Sequence, residues 1–144
     1  MNTNLKSPTN AILKVKGFTH RKVIEYSYNF TQSIDKENQP AGIPRGGKLT
    51  VKLDACTQKG VIELLKWMVG REKKEEVVIE VYKPYDPESL LKTLIFKDAF
   101  CIDYKENWKD LRESKGEAAN TEEIQITWKE FLVDKTSIYD NDWA

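Results

Sequence analysis

Val23 to Ala55 reads VIEYSYNFTQSIDKENQPAGIPRGGKLTVKLDA, two alternating runs separated by a polar stretch rich in proline and glycine. In the first run Ile24, Tyr26, Tyr28 and Phe30 fall on one face, and Glu25, Ser27, Asn29 and Thr31 on the other. In the second, Leu49, Val51 and Leu53 alternate with Lys48, Thr50, Lys52 and Asp54. A period of two is the signature of a half-buried strand. The connection from Asp35 to Gly47 holds Pro40, Gly42, Pro44, Gly46 and Gly47, five of the twelve residues contributed by 7 Gly and 5 Pro. It is too long for a tight hairpin. Long loops in compact domains tend to carry function, so a partner is sought here first.

Working outward, Asn10 to Lys16 has a short strand pattern closed by Gly17. A turn near Phe18 and Thr19 leads into a long strand expected from His20 to Gln32, which makes a hairpin. Beyond the Lys48 to Ala55 strand, Thr57 is the expected N-cap of a helix, QKGVIELLKWMVG. Val61, Leu64, Leu65 and Met68 lie at helical spacing on its apolar face, Lys59, Glu63 and Lys66 on the wet face, and Gly70 is placed to stop it. Trp67 and Met68 read as packing residues. Arg71 to Glu76 is a solvated charge run. Val77 to Lys83 is apolar on both sides, with Val77, Ile79 and Val81 opposite Val78 and Tyr82, so both faces should be covered. Tyr85-Asp86-Pro87 reads as a turn. Leu94 and Phe96 set a phase continued by Phe100, Ile102 and Tyr104, with Asp98 marking a bulge or bend between two strands. Lys109 to Thr121 reads as a second loop. A last strand, Glu122 to Val133, keeps Ile124, Ile126 and Trp128 in phase. Tyr139 and Trp143 in the tail are expected to dock on something. Six or seven antiparallel strands and one helix imply a sandwich or a closed barrel.

The chain has 144 residues, which fits one domain with residues 1–9 as a flexible arm. Its 23 basic and 23 acidic residues balance, so no general bias towards nucleic acid is expected. No apolar run reaches the roughly 18 residues of a membrane span, and MNTNLKSPTN lacks a signal-peptide core; neither membrane insertion nor classical export is expected. Cys56 and Cys101 have no metal-ligand spacing and read as reduced thiols. His20, the single histidine, reads as an exposed polar residue beside Arg21 and Lys22. No triad, phosphate cradle or motivated carboxylate pair is present. No catalytic, cofactor or metal residue is therefore assigned, and enzyme activity is not expected.

The set Tyr26-Ser27-Tyr28-Asn29-Phe30, Asp35, Gln39-Pro40-Ala41-Gly42 and Arg45-Gly46-Gly47-Lys48-Leu49-Thr50-Val51, followed by Leu94-Ile95-Phe96-Lys97-Asp98-Ala99-Phe100 and Asn141-Asp142-Trp143, resembles the Bacteroidota branch of Hcp (TssD). Hcp is the tube protein family of type VI secretion systems. The likeness runs in the same order from about residue 10 to 143. The chain departs from the family pattern at Glu37-Asn38-Gln39-Pro40 and in a longer Lys109 to Asn120 segment.

The resemblance implies a mainly β, antiparallel barrel with one flanking helix, assembled as a six-membered ring. Such rings stack into the inner tube that a contracting sheath expels, and can hold effector proteins in the lumen. The implied partners are further copies of the chain, sheath, baseplate and spike proteins, and effectors. The implied location is cytoplasmic when assembled and secreted through the apparatus without a signal peptide. Loop length and family position together make Asp35, Asn38, Gln39, Pro40, Gly42, Ile43, Pro44 and Arg45 the candidate subunit or ring-stacking contacts, and Tyr139 and Trp143 join them from the tail. A second reading is a monomeric barrel that binds a small ligand or one protein, as an effector adaptor or immunity factor; it requires a closed apolar pocket. A third, a hydrolase on a barrel, requires two close carboxylates in a cleft.

Overall fold

A computed structural model describes residues 10–31, 36–37, 39, 45–54, 57–84, 86–110, 112 and 120–140. In chain order the elements are β1 (Asn10–Val15), β2 (Arg21–Ser27), β3 (Phe30–Thr31), β4 (Arg45–Gly46), β5 (Leu49–Asp54), α1 (Gln58–Gly70), β6 (Lys74–Lys83), β7 (Asp86–Trp108), β8 (Asn120–Thr127), β9 (Glu130–Val133) and β10 (Thr136–Asp140). All pairings are antiparallel. The order β6-β1-β2-β5-β8, together with β6–β7 and β7–β8, closes a six-stranded barrel. Of the two architectures open from patterning, the barrel is the one formed.

The alternating run of β5 does as its sequence dictates: Leu49, Val51 and Leu53 are fully buried. The matching run before it does not form one strand. β2 ends at Ser27 and β3 is two residues long. A bulge between Val23 and Glu25 resets the phase. Val23 turns inward, Ile24 turns out at 42% exposure, and Tyr26, Tyr28 and Phe30 return to the core side. One inserted residue moves every following side chain to the other face.

β7 corrects a second expectation. The chain does reverse between Lys83 and Asp86, with Tyr85 outside the described residues, but Asp86, Pro87 and the two strands read after them form one strand of 23 residues. Its first part pairs with β6 from Lys83↔Asp86 to Lys74↔Ala99, and its second with β8 from Phe100↔Thr127 to Trp108↔Asn120. Asp98, the expected bend, sits at the handover with φ of 53°. Aspartate is among the few side chains that tolerate this left-handed geometry. β9 continues along the β7 edge that β8 has left, and β10 folds back on β9 as the edge strand. Asp134 (φ of 55°) fixes that hairpin: its N–H donates to Thr93 O at 2.7 Å, and its Oδ1 accepts from Thr93 N–H at 3.0 Å.

α1 covers the expected span but stops differently. Gly70 is its last residue and Arg71 takes the left-handed cap with φ of 57°. Thr57 precedes the helix as expected, though its side chain makes no capping hydrogen bond. Gly60, Leu64 and Trp67 face the barrel. The Trp67 indole N–H donates to Glu72 O at 2.7 Å, and the ring meets Phe18 edge-on at 5.9 Å. Leu65 was expected inward. Lying about 100° around the helix from Leu64, it is turned outward and is 40% exposed.

Candidate interaction surfaces

Six aromatic rings tie β3, which leads into the Asp35 to Gly47 loop, and the tail to the barrel. Phe96 and Phe131 stack at 4.9 Å, and Trp128 approaches Phe96 at 5.1 Å. Tyr28 lies on Phe131 at 4.9 Å, while Phe30 contacts Phe131 at 5.9 Å and Trp128 at 6.3 Å. Tyr139 of β10 then closes on Phe30 at 5.3 Å. The tail aromatic therefore docks on its own barrel, against the residue where the loop begins.

The loop is rooted by a two-residue ladder, Phe30↔Gly46 and Thr31↔Arg45. Gly47 N–H donates to Asn29 O at 2.9 Å. A Cβ at Gly47 would meet the Asn29 side-chain oxygen and lie 3.2 Å from Asn29 O, so a larger residue here would require the Asn29 side chain to move. Of the candidate contact residues, Gln39 is exposed and Arg45 belongs to β4. Asp35, Asn38, Pro40, Gly42, Ile43, Pro44 and Trp143 lie outside the described residues.

One polar cluster is buried. Arg21 and Glu122 are 4% and 2% exposed and form an ion pair. Arg21 Nη2 also donates to Asp54 O at 2.9 Å, and the Tyr104 hydroxyl donates to the other Glu122 oxygen. Burial, and then the Glu122 bond, push the Tyr104 phenol well above its usual range. The sequence analysis singles out neither Arg21 nor Glu122 as buried. The missed signal is phase, since Glu122 alternates with Ile124 and Ile126 and so must point inward with them. With both carboxylate oxygens engaged, this cluster is a strut between strands rather than a reactive pair.

A wide groove of about 970 Å³ opens at the barrel end where Asp98 lies. Its walls include Lys16, Phe18, His20, Glu75 and Lys97. Lys14, paired with Glu80 at 2.8 Å, and the Lys73–Asp98 pair at 3.6 Å also line it. The bond from Lys14 holds the Glu80 carboxyl below its usual range. His20 is exposed, as expected. Cys101 is 5% exposed, and burial raises its thiol to about 11, so it is not a thiolate at neutral pH. No group of three or more metal-ligating side chains is found among the described residues, and no helix there is long and apolar enough to cross a membrane.

The outer surface is where the molecule departs from a self-contained barrel. Ile62, Leu65 and Val69 of α1 are 48%, 40% and 78% exposed, and Leu90 and Leu91 of β7 are 46% and 53% exposed. Ile24, Ile102, Trp108 and Ile138 are also exposed. The sequence signal for the helix was its apolar content over most of its circumference, more than one sheet-facing stripe needs.

The family profile of hemolysin coregulated protein Hcp (TssD) matches residues 7–144. The chain belongs to this family. Hcp proteins are type VI secretion tube proteins, secreted and oligomeric, with a structural rather than an enzymatic role. Among solved structures, Hcp1 from Flavobacterium johnsoniae superposes with a TM-score of 0.78 at 27% identity, covering 92% of this chain and 99% of its own. A further Hcp protein gives a TM-score of 0.76 at 14% identity, covering 93% and 99%. Hcp1 from Salmonella typhimurium gives 0.65 at 12%, covering 85% and 84%. The latter two share the fold. A comparison with curated proteins finds no match. The Hcp resemblance and the barrel it implied therefore both hold.

Proposed function

We propose that this Hcp-family chain is a tube subunit that closes into six-membered rings, which stack into the tube expelled by sheath contraction and carry effectors in the lumen. The family match across residues 7–144 carries the reading. The exposed apolar side chains of α1 and β7 support it, because a subunit with neighbours needs surfaces that a lone barrel does not. In this reading the partners are further copies of the chain, then sheath, baseplate and spike proteins; the subunit assembles in the cytoplasm and leaves through the apparatus. The loop from Asp35 to Arg45, with Tyr139 and Trp143, contributes contacts between subunits or rings.

The test is solution mass by light scattering across a concentration series, with negative-stain images of the same fractions. A mass near six subunits with annular particles is expected. A monomer at every concentration overturns the reading.

A further inference from the structure

Two exposed apolar patches differ in charge and lie far apart. On α1, Ile62, Leu65 and Val69 form a stripe at helical spacing, flanked by exposed Lys59 and Lys66. The only carboxylate of the helix, Glu63, is turned aside to accept from Thr19 N–H at 2.8 Å. At the start of β7 a bulge between Val81↔Lys92 and Tyr82↔Leu90 interrupts the alternation of faces at Leu91, and both Leu90 and Leu91 are exposed, after exposed Asp86 and Glu88. Asp86 lies opposite Lys83 in the β6–β7 register and bonds Ser89, while Glu88 has no cationic partner among the described residues. α1 packs on β7, and the chain leaving its C-terminus reaches β6 at Lys74, the partner of Ala99 near the middle of β7. Leu91 and Ala99 are separated by roughly 25 Å at about 3.3 Å per residue.

We infer that the α1 stripe of one copy docks on the Leu90–Leu91 patch of the next, with Lys59 and Lys66 facing Glu88. This rests on the tube-subunit reading and names the surfaces that would serve it. Each patch buries what the other exposes, and the charges are opposite. Stripe-to-stripe pairing would instead bring Lys59 and Lys66 of both copies together, a like-charge contact. Two different patches on each copy make a heterologous contact, which extends from copy to copy and closes only if the rotation allows. A two-fold contact between identical patches ends at a dimer.

Val69→Asp and Leu91→Asp test the pairing, because each spoils one patch and leaves the other intact. Both side chains are exposed, so circular dichroism and thermal midpoint should stay as in the wild-type chain. The expected result by light scattering is an assembled wild-type chain and association at least about tenfold weaker for each variant alone. A 1:1 mixture should then give a heterodimer, since a single intact pair of patches survives between the two copies. Assembly of either variant at wild-type strength overturns the inference while leaving the tube reading standing. Two weakened variants whose mixture stays monomeric also overturn it. A wild-type chain that never assembles removes the tube reading and this inference together. Should an aspartate variant fail to fold, Lys66→Glu and Glu88→Lys repeat the test: each alone weakens assembly and the two in one chain restore it. Failure to restore counts against the pairing.

Discussion

Glu122 sits beneath the surface with one oxygen on Arg21 and the other on Tyr104. Removing one member of a buried ion pair strands the other charge without water, at a cost of roughly 3–5 kcal/mol, whereas an apolar pair of similar volume is often neutral. Glu122→Leu is therefore expected to lower unfolding free energy by about that amount in urea titrations, and Arg21→Met with Glu122→Leu to recover most of it. A single variant within about 1 kcal/mol of wild type would show that the strut contributes little. Cys101 gives a pH-dependent prediction. Burial raises its folded-state value from 9.0 to about 11. A raised value means the folded chain holds the proton more tightly, so this contribution is complete below about pH 9 and is lost as pH rises through about 11. In a Cys56→Ser background, thiol labelling at pH 8 should be slow until the chain is unfolded by denaturant. Rapid labelling of the native chain would contradict the burial. The Glu122 pairing was not legible in the sequence alone: alternation gives a side chain's face, but the partner that makes a buried carboxylate tolerable comes from 101 positions away.

At the scale of elements, patterning identified what local periodicity controls and missed what long-range pairing controls. β5 and α1 appear where their spacing puts them, because each apolar period needs only one surface to pack on. β2 and β7 were misdivided in opposite senses. A bulge at Ile24 broke an apparently unbroken alternation, and pairing with β6 and then β8 carried one strand straight through Asp98. Both outcomes depend on which neighbour lies alongside, which the run of residues does not encode locally. β10 was read only as a tail with docking aromatics, because five residues ending in Tyr139-Asp140 carry little alternation. Its anchor is the edge-on contact of Tyr139 with Phe30, and an aromatic pair of this kind adds about 0.5–1.5 kcal/mol beyond area burial. Tyr139→Ala should accordingly cost about 1–2 kcal/mol in the isolated chain and speed amide exchange in β10 first. If exchange in β10 is unchanged, the ring contact does not hold that strand.

At the scale of the whole molecule, closure of the barrel makes the organising loop separable from the fold. The loop leaves and returns through Phe30–Thr31 and Arg45–Gly46, two residues on each side, clamped by the Gly47–Asn29 bond. The barrel strands on either side, β2 and β5, pair directly with each other from Val23↔Leu53 to Ser27↔Thr50. Shortening the excursion leaves the β2–β5 ladder in place, and loop-closure entropy changes only slowly with length. Deleting Asn38 to Ile43 is expected to leave the urea midpoint within about 1 kcal/mol of wild type, while association between copies weakens in light scattering. A deletion that unfolds the barrel would show that the loop is structural. One that leaves both stability and association untouched would remove the loop as a contact, and would leave α1 and the start of β7 as the surfaces through which copies meet.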